Sequence, residues 1–340
     1  MSNATHLLVA NPTAQSGRNA ERIARAQSWL ATNGIACDLL PTLPGGKTID
    51  AVTRALDAGG AYRVVIAMGG DGTFREVAAG LLASARREAI ALGMMPTGTA
   101  NDQGRSFGLD ATPEALEKNL AVIAAGHETR LDAGRIRALT ASGELLAETA
   151  FFDSAGWGIS ARVLAARNED RRVVETIEVL RDVYRDQLVY AGAFARTFLE
   201  SYVVSDKFDA RVDADGVVHE LTGLTDLVIK GTRVYAGAWI LDKTSAHDDG
   251  LFEVVPFRGK RDWMAKSIVT LEGSPVSGEM LSAVGAAVST GFRARRMGIA
   301  FTLPRDVKHA AQIDGEEWVA SERVEIEVVE RAVRLIVPGG

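Results

Sequence analysis

Residues 64–73 read VVIAMGGDGT, and this stretch decides the fold. Its first five residues are apolar, which is typical of a short strand buried on both faces, as in a parallel sheet. Three glycines, Gly69, Gly70 and Gly72, break the run, and apolar residues at helical spacing follow from Phe74. The stretch therefore predicts a strand, a tight glycine loop and a helix, and the free N–H groups that begin such a helix favour a bound phosphate.

Asp71 is the most informative residue of this loop. A carboxylate beside phosphates repels them unless it binds a metal ion or accepts a proton from a nucleophile, and phosphoryl transfer uses carboxylates for both tasks. The alternative is structural, because Thr73 and Glu76 have the Thr-x-x-Glu spacing of a helix capping box. Capping needs neither Asp71 nor three glycines, so we interpret the loop as a phosphate site and expect the capping box beside it.

The composition sets limits on the class of protein. The 340 residues have ordinary globular composition, and the length suggests about two domains. Acidic residues outnumber basic ones 44 to 38, which argues against nucleic acid as the main partner. Cys37 is the only cysteine, which excludes an intrachain disulfide and favours a reducing compartment. With no apolar run of the ~18 residues needed to span a bilayer and no signal-peptide pattern, we expect a cytoplasmic protein.

Up to residue 130, predicted strands alternate with predicted helices. This order is typical of a parallel, doubly wound α/β sheet, in which ligands bind beyond the carboxyl ends of the strands. The final helix is expected to begin after Thr112 as N-cap, with proline in its first position. The predicted strands are 6–10, 35–40, 64–68 and 89–95, and the predicted helices are 20–32, 50–58, 74–82 and 113–125.

After residue 130 the pattern changes to short strands with two-residue alternation, separated by turns such as Asp215-Gly216 and Asp314-Gly315. This pattern predicts an antiparallel sandwich or barrel, interrupted by a helical insertion at about 169–202. We therefore expect a nucleotide-binding α/β domain at 1–130 and a β-sandwich substrate domain at 131–330. The tail, 331–340, is expected to return to the first domain.

A second glycine loop follows the fourth predicted strand. Its hydroxyl groups and amides suit a phosphate or a ribose, and the alternative is an N-cap cluster for a short helix. Asn11, after the first strand, is a weaker candidate for contact with the same ligand. The polar and glycine residues of the second loop are Thr97, Gly98, Thr99, Asn101 and Asp102.

Three motifs of the second half leave alternatives open. Asp248-Asp249-Gly250 suits a hard cation or is a simple turn, and the turn is the more frequent case. In Asp314-Gly315-Glu316, Asp-Gly favours a two-residue hairpin, and Glu316 is a candidate general base in an inter-domain cleft. The basic run 293–296 is a candidate for anionic lipid headgroups, although a solvated basic turn is the favoured interpretation.

In their order and spacing, these motifs resemble the diacylglycerol kinase catalytic-domain family, in particular the soluble bacterial lipid kinases of the diacylglycerol and sphingosine kinase type. The resemblance covers nearly the whole chain. The motif GGDGT at 69–73 is shared with NAD kinases. Its combination with GTAND at 98–102 and DGE at 314–316 is specific to the diacylglycerol kinase family. The resemblance implies an α/β domain with an NAD-kinase- and phosphofructokinase-like parallel sheet, a β-rich lipid domain, and an active site between them.

The resemblance also implies ATP and Mg²⁺ as cofactors. ATP contacts are implied at Thr42, at the loop 70–76 and at Thr99. Glu316 is implied as proton acceptor, with Asp71 near the catalytic Mg²⁺, although either carboxylate is a candidate base. Together with the loops above, the candidate nucleotide-contacting residues are Asn11, Thr42, Gly69, Gly70, Gly72, Thr73, Glu76, Thr97, Gly98, Thr99, Asn101 and Asp102.

A structural Mg²⁺ is implied at Asp249 and the main chain of Leu251, with Ala246 as a further ligand. Two departures from the family pattern stand out. Gln103-Gly104 replaces the usual Phe-Ala, which affects the expected start of a helix. Ala246 stands where some relatives have a side chain near the metal, which affects the strength of that site.

Three functions are compatible with these features. The first is an ATP-dependent kinase that phosphorylates a hydroxyl group of diacylglycerol or a related glycerolipid or sphingolipid. The others are a kinase of a soluble substrate such as NAD, and a non-catalytic module that binds lipid or nucleotide. A lipid kinase implies transient peripheral contact with the inner membrane face. The oligomeric state is left open, with a homodimer among the alternatives.

Overall fold

The computed structural model describes residues 4–12, 18–58, 61–98, 101–110, 112–162, 207–235, 240, 242–259, 262, 266, 289–304 and 310–339. Thr99 and the predicted helical insertion at 169–202 lie outside these residues. The chain divides into two compact units. Unit 1 comprises Met1–Ala133, His247–Gly250 and Val329–Gly340, and unit 2 comprises Gly134–Ala246 and Leu251–Val328.

Unit 1 contains a parallel sheet between helices, as the sequence predicts. Its strands have the order β2-β1-β3-β4, and β4 pairs in parallel with the end of the last strand, β16 (Arg323–Ile336). The strands are β1 (His6–Ala10), β2 (Cys37–Pro41), β3 (Val64–Gly69) and β4 (Ala91–Pro96). The helices are α1 (Arg18–Thr32), α2 (Lys47–Asp57), α3 (Asp71–Ala83), α4 (Asp102–Ser106) and α5 (Leu116–Ala125).

The order of these strands defines a ligand position. The chain passes from β1 outward to β2, then returns to β3 on the other side of β1. Such a reversal leaves a crevice outside the carboxyl ends of the two strands that flank it, here β1 and β3. Both strands are buried, with Leu8 and Ile66 fully enclosed in the core of the unit. The VVIAMG run therefore forms a central strand that ends at the crevice.

The predicted capping box at Thr73 and Glu76 is wrong. Helix α3 begins at Asp71, and its N-cap is Gly70, which has an extended backbone and makes no side-chain cap bond. Thr73 instead covers Gly69, where a Cβ would lie 2.4 Å from the Thr73 hydroxyl oxygen. Because the glycines end the strand so sharply, the helix begins three residues before the position that the local motif predicts.

Thr112 is predicted as the N-cap of an α-helix, but it precedes a short 3-10 turn. Residues Pro113–Ala115 form a single 3-10 turn, and α5 begins only at Leu116. The Thr112 side chain makes no cap bond, and its N–H donates instead to Asp110 Oδ1 at 3.0 Å. Proline in the first position therefore starts a turn that becomes an α-helix three residues later.

Unit 2 is antiparallel and β-rich, as predicted. In one sheet, the first part of β16 pairs with β13, followed by β8 and β9, and a second pairing joins β5 to β6. These strands are β5 (Glu128–Leu139, which begins in unit 1), β6 (Leu145–Phe151), β8 (Phe208–Ala214), β9 (Val217–Leu224) and β13 (Arg296–Thr302).

The other sheet of unit 2 has the order β12-β11-β10-β7-β14-β15. Side chains of both sheets, such as Val212 and Trp157, form one core, which makes the unit a sandwich. Asp314 and Gly315 both have positive φ, 47° and 76°, as a two-residue hairpin requires. The strands are β7 (Ser154–Gly158), β10 (Asp226–Lys230), β11 (Phe252–Phe257), β12 (Phe292–Ala294), β14 (Ala311–Ile313) and β15 (Glu316–Trp318).

Candidate active site

The candidate nucleotide residues of unit 1 follow the carboxyl ends of four neighbouring strands. Asn11 follows β1, Thr42 follows β2, Gly70 follows β3 and Thr97 follows β4. Because the strands are parallel, these ends lie along one edge of the sheet. The Thr97 N–H donates to the Gly69 carbonyl at 2.9 Å, which joins the loops after β3 and β4 at their bases.

The two glycine loops touch through their main chains. A Cβ on Gly98 would lie 2.4 Å from Gly70 Cα and 3.0 Å from Gly70 N, so no other residue fits at position 98. Asn101 fixes the second loop, since its side chain accepts from Gly98 N–H and donates to the Gly98 carbonyl, both at 2.9 Å. Asn101 has positive φ, 54°, and immediately precedes α4. The close approach leaves main-chain groups exposed to a ligand without side chains between them.

Asp71 connects the same two loops. Its Oδ2 accepts the N–H of Asp102 at 3.3 Å, and its Oδ1 accepts the N–H of Gln103 at 3.2 Å. The carboxylate of one glycine loop therefore satisfies the first N–H groups of α4, which follows the other loop. Helix α4 is present despite the unusual Gln103-Gly104 pair. Sequence reasoning missed this contact, which spans 31 and 32 residues.

The remaining candidates of unit 1 lie close in sequence to this pair of loops. Gly72 and Thr73 belong to the first turn of α3, and Glu76 lies half-buried further along the same helix. Asp102 and Asn101 are buried at the start of α4. The structure thus joins the first and second glycine loops, while Asn11 follows the adjacent strand β1 and Thr42 follows β2, one strand further out.

The loop His247–Gly250 carries Asp249, the candidate metal ligand, and belongs to unit 1. Asp132, 2% exposed, anchors the loop. Its Oδ2 accepts from Gly250 N–H at 2.7 Å, and its own N–H donates to the His247 carbonyl at 2.8 Å. Its Oδ1 accepts from Arg331 N–H at 2.6 Å. Burial raises the pKa of Asp132, and the two main-chain hydrogen bonds oppose that shift.

The residues of this loop fit a hard cation by their chemistry. The ligands that the resemblance implies, the Asp249 carboxylate with Ala246 and the main chain of Leu251, would supply oxygen atoms only, which Mg²⁺ prefers. Within the described parts of the chain, no group of three or more His, Cys, Asp or Glu side chains is placed to hold a metal. A site here depends on main-chain oxygens, and these ligands remain a prediction from the resemblance.

The Asp314-Gly315-Glu316 turn of unit 2 is held by its first residue. Asp314 is 2% exposed, and its carboxylate accepts three N–H groups, from Phe152 and Asp153 at 2.8 Å and from Ser154 at 2.9 Å. The Asp314 N–H donates to the Ser154 carbonyl at 2.8 Å. Glu316 begins β15 and is exposed. The turn is therefore a hairpin, anchored more firmly than Asp-Gly alone predicts, that presents a carboxylate.

The basic run 293–296 forms ion pairs in unit 2. The guanidinium of Arg293 lies 2.9 Å from Glu253, and that of Arg296 lies 3.1 Å from Glu327. Glu253 is 2% exposed, and burial raises its pKa to about 7. Because both arginines have acidic neighbours, the run matches the structural alternative better than a free basic patch for lipid headgroups.

A parallel sheet with two glycine loops in contact at its carboxyl edge is typical of α/β proteins that bind phosphate groups. Residues 5–136 match the family model of the diacylglycerol kinase catalytic domain. The probable lipid kinase YegS of Escherichia fergusonii is 34% identical over 143 residues, which are 42% of this chain and 43% of that protein. The match thus spans less than half the length of this relative.

Two solved structures show the same fold. A diacylglycerol kinase from Bacillus anthracis str. Sterne has a TM-score of 0.68 at 16% identity, over 99% of this chain and 98% of that one. Yeast NADH kinase complexed with NADH has a TM-score of 0.52 at 7% identity, over 100% of this chain and 85% of that one. These likenesses confirm the predicted NAD-kinase-like fold. Among the described residues, no helix is both long and apolar enough to cross a membrane.

Proposed function

We propose that the protein is an ATP-dependent lipid kinase, which transfers the γ-phosphate to a hydroxyl group of diacylglycerol or a related glycerolipid or sphingolipid. The observation that carries this proposal is the joined pair of glycine loops, which Asp71 ties together at the carboxyl edge of the parallel sheet. The family of residues 5–136 supports phosphoryl transfer as the reaction.

The nucleotide phosphates bind at the two glycine loops. Gly70 supplies no side chain to cap α3, so the N–H groups of the first turn suit an anionic ligand. The close approach of Gly70 and Gly98 allows phosphate oxygens to reach the main chain of both loops. Thr42, Thr99 and Glu76 complete the proposed ATP contacts. Preorganised N–H groups of this kind stabilise charge on the transferring phosphoryl group.

Glu316 is the proposed proton acceptor. It takes the proton of the lipid hydroxyl group while that oxygen forms a bond to the γ-phosphorus and ADP leaves. Both oxygens of Asp71 accept N–H groups of α4, which supports Glu316 over Asp71 for this role. A catalytic Mg²⁺ near Asp71 would neutralise phosphate charge when bound. A separate, structural Mg²⁺ would be held by Asp249 and the main chain of Leu251, with Ala246 as a further ligand.

The proposed lipid substrate implies where in the cell the enzyme acts. A diacylglycerol-like acceptor lies in a bilayer, so the enzyme acts from the cytoplasm through transient peripheral contact with the inner membrane face. Acyl chains remain in or near the bilayer while the hydroxyl group reaches Glu316.

The test compares lipid with NAD as acceptor of label from γ-labelled ATP. We expect label in the lipid extract, and we expect Glu316→Gln to lower kcat by about 100-fold or more with unchanged ATP affinity. Glu317→Gln is the matched control, since Glu317 is also exposed and follows Glu316 on the same strand. Label in NADP, equal activity of the two variants, or ATP binding without turnover on any lipid would contradict the proposal.

A further inference from the structure

Unit 2 contains a buried triad that the proposed reaction does not use. It consists of Lys230, Asp153 and Thr232, which are 1%, 5% and 0% exposed. The Lys230 ammonium donates to Asp153 Oδ1 and, at 2.9 Å, to the Thr232 hydroxyl oxygen. The Thr232 hydroxyl group in turn donates to the same Asp153 oxygen. The triad is therefore a closed set of three hydrogen bonds around one ion pair.

Stability alone does not explain such a group. Removing an ammonium and a carboxylate from water costs several kcal/mol per ion, and apolar side chains of similar volume are often at least as stabilising. A buried ion pair is better explained when its geometry fixes something else. The relevant contacts are those that Asp153 makes with its main chain.

Asp153 is held through three different groups. Its carboxylate binds Lys230 and Thr232, and its carbonyl accepts the Gly231 N–H at 2.8 Å. Its N–H donates to Asp314 Oδ1 at 2.8 Å. The ammonium of Lys230 is thus connected to the Asp314-Gly315 turn through a single residue, Asp153.

We infer that Lys230 is a positioning residue for Glu316. Lys230 and Thr232 bind the Asp153 carboxylate. The N–H groups of residues 152–154 donate to the Asp314 carboxylate. Asp314 in turn fixes the hairpin turn, after which Glu316 begins β15. Glu316 is a proton acceptor only under the proposed function, so the role of Lys230 rests on that function.

Loss of the ammonium has a predictable effect. The Asp153 carboxylate would remain buried without its compensating charge, which is strongly unfavourable, and segment 152–154 would move to relieve it. Asp314 would move with the N–H groups that it binds. A displacement of about 1 Å at a catalytic group lowers the rate by about 100-fold, so kcat is the sensitive quantity.

Lys230→Met tests this role, with Lys266→Met as the matched control. Lys266 is also buried in unit 2, pairs with Asp262 and donates to Ser289 Oγ at 2.7 Å, so its loss likewise leaves a buried carboxylate uncompensated. We expect Lys230→Met to lower kcat on lipid by about tenfold or more while the KM for ATP stays within about twofold. Lys266→Met is expected to lower Tm with kcat of the folded protein within about twofold of the wild type.

Thr232→Val is a milder second variant, because it keeps the ion pair and removes only the hydroxyl group. We expect it to fold and to lower kcat to a value between the wild type and Lys230→Met. If Lys230→Met does not fold, wild-type kcat in Thr232→Val overturns the inference. Wild-type kcat in Lys230→Met, or an equal loss in Lys266→Met, also overturns it.

The two proposals fail differently. Wild-type activity in Glu316→Gln, or the absence of lipid turnover in the wild type, removes the proposed function and with it the role of Lys230. Loss of activity in Glu316→Gln together with wild-type kcat in Lys230→Met removes the role of Lys230 alone.

Discussion

Replacing Asp71 by asparagine tests whether this carboxylate holds the two glycine loops together. In the wild type, its two oxygens accept the N–H groups of Asp102 and Gln103 at 3.3 and 3.2 Å. Asparagine has nearly the same shape, but one of these oxygens becomes an NH₂ group, which cannot accept. One N–H of α4 then faces another donor, and the remaining hydrogen bond loses its charge assistance.

The magnitude follows from the two contacts. A hydrogen bond to a charged group contributes about 1.5–3 kcal/mol to stability. Because both bonds are long, at 3.3 and 3.2 Å, each contributes an energy near the lower end of that range. Losing one and weakening the other lowers the free energy of unfolding by about 2 kcal/mol. For a unit of about 150 residues, this corresponds to a Tm lower by roughly 4–8 °C. The rings of Phe74 and Phe107, 5.5 Å apart, still pack α4 against α3, so the variant should fold.

Nucleotide affinity should change with the same free energy. If the second loop moves when the tie is lost, up to about 2 kcal/mol of binding energy is lost, or about 30-fold in the Kd for ATP. Thermal unfolding followed by circular dichroism and calorimetric titration with ATP, both without lipid, measure the two effects. Asp110→Asn is the control, because Asp110 accepts the Thr112 N–H outside both loops and should leave ATP affinity unchanged. Wild-type Tm and Kd in Asp71→Asn would refute the structural role of Asp71.

Two further substitutions give independent tests. Gly98→Ala places a Cβ 2.4 Å from Gly70 Cα, so ATP affinity should fall about tenfold or more by calorimetry. Gly298→Ala, whose nearest atom lies 4.0 Å away, should keep wild-type affinity, and equal affinities of the two variants would contradict the loop contact. Burial raises the pKa of Asp226 from 3.8 to about 7, despite hydrogen bonds from Ser160 that favour the charged form. The folded chain therefore binds this proton more tightly than the unfolded chain, and the associated stability is lost as the pH rises from about 4 to about 7. Asp226→Asn removes this loss, so its Tm relative to the wild type should increase between about pH 5 and pH 8, and a constant difference would contradict the raised pKa.

The sequence predicts the strand, loop and helix at 64–83 because each local signal agrees with the final structure. Five apolar residues require burial on both faces, and glycines at the end of the run permit the sharp turn. The same agreement holds at Asp314-Gly315, where Asp-Gly is a preferred sequence for a two-residue hairpin. Such features depend on residues within a few positions of each other, so they can be recognised without the rest of the chain.

Contacts between distant residues could not be predicted in the same way. Sequence reasoning placed Asp71 and Asp102 on loops at one sheet edge, but the contact between them depends on how closely Gly70 and Gly98 approach. Asp314 likewise binds segment 152–154, about 160 residues away, through a carboxylate that looked like an ordinary turn residue. In both cases the carboxylate of a motif residue also binds main-chain N–H groups of a distant segment, and this contact is visible only in the folded structure.

The error at Thr73 has the same origin. Its spacing to Glu76 satisfies a local rule, yet its side chain covers Gly69 and the helix begins at Asp71. A capping motif describes what a residue can do at a helix start, whereas the end of the preceding strand decides where the helix starts.

The path of β16 has a consequence for how the chain is synthesised. Its last residues pair with β4, although the rest of the parallel sheet comes from the first 100 residues. During synthesis, β4 therefore remains an edge strand without its β16 partner until almost the entire polypeptide has left the ribosome. The unpaired N–H and C=O groups of such an edge can pair with strands of other nascent chains. A fragment ending at residue 133 would keep this exposed edge permanently, so expression studies of unit 1 need the last residues of β16 in the same molecule.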